Sequence, residues 1–213
     1  EDGILVETRD VDGSPIHEVR ATTHTGAAPQ AILAVLWRHE EHPTFLPHLH
    51  HLEVLQDAPD TRLLYEQFSV PILKDRDAVL RTHRTVDATT GAVDVESRSV
   101  TDEGPPPSTQ FVRVRSTVGH WHLVPGAQGG ADVTYTIRTD VGGMVPAWIA
   151  NRAQHETVPH LVRAILDRAT ESAADNALLS PLTRPPIRCE PGAAFRAPGT
   201  PPPWPPTIQP HRK

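Results

Sequence analysis

The sequence predicts an α+β fold: a curved antiparallel sheet of about eight strands wrapped around one long C-terminal helix, with two short helices after the first hairpin. Three observations predict it. In Val133-Thr-Tyr-Thr-Ile-Arg-Thr-Asp140, Tyr135 and Ile137 alternate with Thr134, Thr136 and Arg138, the period-two pattern of a strand with one covered face and one wet one. Gly142-Gly143 ends that pattern, and from Met144 to about Ala174 the spacing turns helical, with Val145, Trp148 and Ile149 on a face continued by Val158, Leu161, Val162, Ile165 and Ala169. Between residues 51 and 140, strand-like runs follow one another with turn chemistry between them.

Taken in order, Ile4 to Thr8 and Ile16 to Thr25 are β-rich and joined through Asp12-Gly13, a good turn pair. Pro29 suits a first helical turn, and Ile32, Val35 and Leu36 recur behind it at helical spacing. A second short helix or turn spans about Glu40 to Leu46, interrupted by Pro43 and Pro47. Strands are then expected at about 51–56, 62–70, 76–86, 92–100, 110–124 and 131–140. Their connections carry Ala58-Pro-Asp, Val70-Pro71, Thr90-Gly91, the Gly104-Pro-Pro-Pro-Ser run and Gly126 to Gly130. Gly119, inside the fifth of these strands, suggests a bulge or bend. The last helix would be about 45 Å long. Pro159 in its interior removes the bond to the His155 carbonyl, which predicts a kink.

Composition divides the chain. Of 23 prolines, 11 fall from Pro181 onward, so a globular domain is expected over 1–180 and a Pro-rich, flexible tail over 181–213. The tail carries five Lys/Arg and one Glu, which leaves a net −10 on residues 1–180. That acidic body argues against nucleic acid as a partner, because phosphate contacts need a basic face. The single cysteine, Cys189, permits no internal disulfide. No apolar run reaches the roughly 18 residues of a membrane span, so a soluble protein is expected. The first residue is Glu1, so something upstream is expected to have been removed, a signal peptide or a longer precursor included. The compartment is left open between cytoplasm and, after a signal peptide, periplasm.

Several local strings in this order resemble the START domain, the steroidogenic acute regulatory-related lipid transfer family of the Bet v 1-like helix-grip superfamily. They are Asp2-Gly3-Ile4 with Asp12-Gly13-Ser14-Pro15, Tyr65 with Pro71 and Arg76-Asp77, Val112-Arg-Val114, Gly119-His-Trp121-His-Leu123-Val-Pro125, Val133-Thr-Tyr135, Asp140-Val-Gly-Gly143 and Val145-Pro-Ala-Trp148-Ile149. The resemblance covers residues 2 to about 170. It implies a hydrophobic tunnel between sheet and C-terminal helix that holds one lipid or sterol, with that helix and nearby loops as the gate. Two departures stand out: the helix that usually precedes the first strand is absent or cut off, and the Pro-rich tail is not in the family pattern. Relatives in the superfamily also include bacterial aromatase/cyclases, so function has to be argued from the site.

An apolar carrier needs an apolar wall with a few orienting polar groups. The expected wall is the helix face with Val145, Trp148, Ile149, Leu161 and Ile165, together with Tyr135. Expected polar contacts are Tyr65, Glu66, Arg98, Arg113 and His122, with the restriction that Tyr65 and Glu66, as strand neighbours, point to opposite faces. An inward Arg needs a partner, for which Glu66 and Glu96 are candidates. Arg76-Asp77 reads as structural, tying down the loop after Pro71. The gate is expected to hinge at Gly142, Gly143 and Pro159. His39, His42, His48, His50 and His51 crowd one segment, but Pro43 and Pro47 forbid the continuous helix that would align metal ligands. They are expected to be solvated loop residues, with no metal and no cofactor. Nucleophile, phosphate-loop and dinucleotide motifs are absent.

The expected function is therefore to bind one lipid or sterol-like ligand and carry it between membranes or to a partner, without catalysis, through transient membrane contact. The alternative is an aromatase/cyclase acting on a polyketide-like substrate, for which His122, Glu66 or Asp94 would be the acid–base group. A third possibility is a partner that docks on the Pro-rich tail.

Overall fold

The structure, a computed structural model, describes residues 3–70 and 73–179, with side chains up to residue 172. The Pro-rich tail and Pro71 lie outside the described residues. Among the described residues nine strands form one sheet: β1 (Leu5–Val11), β2 (Ser14–Thr25), β3 (Leu49–Asp57), β4 (Thr61–Phe68), β5 (Arg76–Val86), β6 (Val93–Ser99), β7 (Val112–Arg113), β8 (Ser116–Pro125) and β9 (Ala131–Asp140). Helix α1 (Pro29–Trp37) and a 3-10 turn (His39–Thr44) follow the first hairpin, and α2 (Ala147–Leu179) closes the fold. The sheet order is β1-β2-β9-β8-β6-β5-β4-β3, so the first hairpin joins the last strand and the rest is a meander. All ladders are antiparallel except the two residues of β7, which run parallel to β5.

The long strand expected over 110–124 is divided, and the division falls at Val114-Arg115 rather than at Gly119. Gly119 pairs regularly with both Ser97 and Ile137, so it makes no bulge. Its position is regular, and a Cβ there would make only an ordinary contact, 3.7 Å from the Tyr135 hydroxyl.

Helix α2 lies on the concave face. Its buried stripe is Ala150, Gln154, Val158, Val162, Ile165, Leu166 and Ala169, spaced by three and four residues. The C-terminal part of this stripe packs with Ile32, Val35 and Leu36 of α1 and with Val19, Val93, Leu123, Val133 and Tyr135 of the sheet into the main core. Each fully buried aliphatic side chain there contributes about 1.5–3 kcal/mol. The N-terminal part is held by hydrogen bonds instead: Asn151 Oδ1 accepts from the His17 amide at 2.9 Å, and Gln154 Oε1 accepts from the Thr139 amide at 2.7 Å. The helix runs on through Pro159, with the Thr157 hydroxyl donating to the Ala153 carbonyl at 2.8 Å beside it. Before the helix, Gly142 has φ 70°, and a Cβ on it would lie 2.7 Å from the Arg113 carbonyl oxygen, so only glycine fits.

Candidate functional site

The main core covers only part of the concave face. Over β3 to β5 the inward side chains Leu52, Leu64, Ala78 and Leu80 form a separate apolar cluster that does not join the α1–α2 core. Between the two lies a cavity of about 310 Å³, within the range that small-molecule sites occupy. Sheet residues such as Leu64, Phe68, Leu80, Val95 and Trp121 line it on one side, and Ala150, Ala153, Val158, Leu161 and Ile165 of α2 line it on the other. Pro47 and His48, both exposed, mark where it meets solvent. His48 has φ 67°, a strained conformation for a residue with a side chain.

Several polar side chains interrupt this mainly apolar lining. Glu66 of β4 is one, and no cationic side chain pairs with it among the described residues. Burial pushes its carboxyl up to about 7, so at neutral pH it is poised between acid and carboxylate. Tyr135, stacked on Trp121 at 4.2 Å between ring centroids, has its phenol pushed up by burial first and by the Glu66 charge second. Gln154 gives its oxygen to Thr139, and its amide nitrogen is buried with no partner. Thr82 and Ser97 also line the cavity, but they satisfy each other at 2.9 Å.

At the α1 end the cavity is closed by two histidines expected to be solvated. His39 and His42 are only 3% and 7% exposed, because the 3-10 turn folds their rings inward. Burial is the first cause that lowers both, His39 to about 3, so both are neutral. Arg62 Nη1 donates to His39 Nδ1 at 3.1 Å, and His42 Nε2–H donates to the Val35 carbonyl at 3.0 Å, which fixes each tautomer. His48, His50 and His51 are exposed as expected.

Of the side chains expected to touch ligand, the structure brings Glu66, Tyr135, Leu161 and Ile165 to the cavity. It places the others elsewhere, for reasons of strand parity and helix phase. Tyr65 points outward, where its hydroxyl donates to Asp77 at 3.2 Å. Arg113 joins it there with two bonds to Asp77, at 3.0 and 2.9 Å. Asp77 is thus the partner of Arg113, and neither Glu66 nor Glu96 is. The Arg76-Asp77 pair is structural in this sense: Arg76 reaches the Val141 and Lys74 carbonyls, while Asp77 locks β7 and the 104–111 segment to β5. Arg98 is on the outer face 3.8 Å from Glu96, and His122 is there with Asp94. The acid–base candidates His122 and Asp94 are therefore not in the cavity.

Val145, Trp148 and Ile149 do not line the cavity either. Trp148 precedes Ala150 by two residues, about 200° around the helix, and is 68% exposed. Gly142, Gly143 and Pro159 flank the cavity without lining it. Sequence reasoning missed Gln154, although it sits four residues from Ala150 and from Val158 in the buried stripe, a polar residue on an apolar face. It also missed the inward rings of His39 and His42, for which the 3-10 turn leaves no periodic signal.

This curved sheet gripping a long terminal helix over an apolar cavity is the helix-grip fold. The START domain family model matches residues 4–174, and the chain belongs to that family. A STAR-related lipid transfer protein from Xanthomonas axonopodis is 30% identical, with 79% of this chain and 94% of that one covered at a TM-score of 0.72. An uncharacterized protein of Pseudomonas aeruginosa is 27% identical over 71% of this chain and 74% of its own length. Human StAR-related lipid transfer protein 5, at 14% identity and TM-score 0.68 over 81% and 88% of the chains, shares the fold. So does an aromatase/cyclase from Streptomyces sp. R1128, at 15% identity and TM-score 0.53 over 76% and 96%.

Proposed function

We propose that the protein binds one neutral lipid in the cavity, a sterol-like molecule or another apolar ligand with a hydroxyl or carbonyl oxygen, and carries it between membranes or to a partner. The observation that carries this reading is the lone Glu66 carboxyl in an apolar space: burial holds it partly protonated, and no cationic side chain among the described residues pairs with it. A protonated Glu66, the Tyr135 hydroxyl and the free Gln154 amide are all donors, so they suit an oxygen acceptor. Among the described residues the lining has no Arg or Lys, which disfavours a phosphate head group inside. Met144 and Trp148, 102% and 68% exposed just before and at the start of α2, supply an apolar contact for a membrane surface. Movement of α2 about Gly142, Gly143 and Pro159 would open the cavity. Native mass spectrometry of the purified protein, followed by organic extraction, tests the reading. A stoichiometric neutral lipid is expected; a bound anionic phospholipid, or a protein that stays empty when offered neutral lipids, would count against it.

A second reading rests on the same carboxyl, since a value near 7 is what a general acid or base needs. In that case the protein is an aromatase/cyclase-type enzyme. Turnover of a polyketide-like substrate that Glu66→Gln abolishes would support it, and absence of turnover would remove it.

A further inference from the structure

The outer face of the sheet, turned away from the cavity, carries a cluster that ligand carriage does not use. His120 and His122 are two apart on β8 and therefore share a face, and Asp94 of β6 is the register partner of His122. Asp94 Oδ1 accepts from His120 Nε2 at 2.8 Å and from His122 Nδ1 at 2.7 Å. One ligand atom from each of the three lies within 4.8 Å of the other two. We propose that Asp94, His120 and His122 form a binding site for a divalent first-row transition metal ion, with zinc as the reference ion, leaving at least one coordination position to solvent.

The donor set selects the metal class. Two imidazoles and one carboxylate suit zinc, nickel, cobalt or copper, whereas calcium and magnesium require oxygen ligands. With metal–ligand bonds of about 2.0–2.1 Å, the edge of a tetrahedron is about 3.3 Å. The two nitrogens thus need to draw back from Asp94 by about half an ångström each and, standing up to 4.8 Å apart, to close on each other by up to about 1.5 Å. Each ring must also present a lone pair where it now presents N–H, which moves its proton to the opposite nitrogen.

The scaffold suits a preorganised site. Strands β6 and β8 are interior strands with neighbours on both sides. Their inward residues beside the ligands, Val95 next to Asp94 and Trp121 between the two histidines, are 3% and 7% exposed and fix the backbone beneath. The three side chains are 37–44% exposed, so an ion can reach them from solvent. An open position facing solvent would hold water or a donor group from a partner.

The test uses the full chain stripped with a chelator and then titrated with zinc chloride by calorimetry, and with cobalt(II) by visible absorption. One ion per chain is expected, with a cobalt spectrum free of thiolate charge-transfer bands. His122→Ala and Asp94→Asn should each weaken zinc binding at least tenfold, and His120→Ala with His122→Ala should abolish it. His24→Ala, at an exposed histidine paired with Asp132 alone, should change nothing. Should a His→Ala variant not fold by circular dichroism, Asp94→Asn, which preserves shape, carries the test. Zinc binding equal in the parent and Asp94→Asn, or no uptake at micromolar zinc, would overturn the proposal.

Discussion

Glu66 and Asp77 are enclosed carboxylates one register step apart on neighbouring strands, Glu66 opposite Ala78 and Asp77 opposite Gln67. They point to opposite faces of the sheet, and the two faces treat them differently. Asp77, fully buried on the outer face, has two bonds from Arg113 and one from Tyr65, under a segment that packs Gly104 against Leu55 and Val79. Glu66, on the inner face, has no such partner among the described residues and is pushed up to about 7 by burial alone. A charge that holds a fold together is compensated from within the fold. In the proposed reading, the uncompensated group is the one left for a ligand.

Breaking the compensated site should have the largest effect. Arg113→Ala leaves Asp77 buried without its cation and is expected to cost about 3–5 kcal/mol in urea unfolding. Glu66→Gln should do the reverse, by an amount that grows with pH. The folded value of Glu66 lies above the unfolded one, so its contribution is fully present below about pH 4.5 and is lost as pH rises through 7. The variant should therefore match the parent near pH 4 and exceed it by up to about 3 kcal/mol at pH 9.

The neutral histidines sharpen the comparison further. His39, lowered from 6.5 to about 3, binds its proton more readily in the unfolded chain, so its contribution is lost as pH falls below 6.5. Over two pH units that is about 2–3 kcal/mol. Between pH 4.5 and 6.5, Glu66 gains stability on acidification while His39 and His42 lose it, and the parent curve should be correspondingly shallow. Glu66→Gln should steepen acid destabilisation, and His39→Gln should flatten it, in denaturation curves taken across that window. The smallest effect is expected on the outer face: Asp94→Asn, at a half-exposed cluster, should change metal-free stability by less than about 1 kcal/mol in the same assay.

Much of this architecture was legible in the chain. Alternation in 133–140, the turn at Asp12-Gly13 and helical spacing after Gly142-Gly143 are local signals, and each led to the element observed. Strand parity also separated Tyr65 from Glu66, leaving only the choice of inner face. What was not legible depends on phase and register. The hydrophobic residues Trp148 and Ile149 suggested one helix face, whereas tertiary packing selected Ala150 and Gln154, two small or polar residues without hydrophobic signal. Asp94 lies beside His122 only because β6 pairs with β8 in one register, which no local pattern specifies. The partner of Arg113 was equally hidden, since β7 reaches Asp77 by a parallel crossing.

Glu66 has no cationic partner among the described residues, and in the proposed reading the ligand supplies its polar partner. The most direct test of that reading is a carboxyl 13C NMR titration of Glu66 in the empty protein and in the protein loaded with the extracted lipid. The account predicts titration near pH 7 when empty, with a clear displacement on loading. Titration near 4.5 in both states, or a midpoint near 7 that loading does not move, would contradict it.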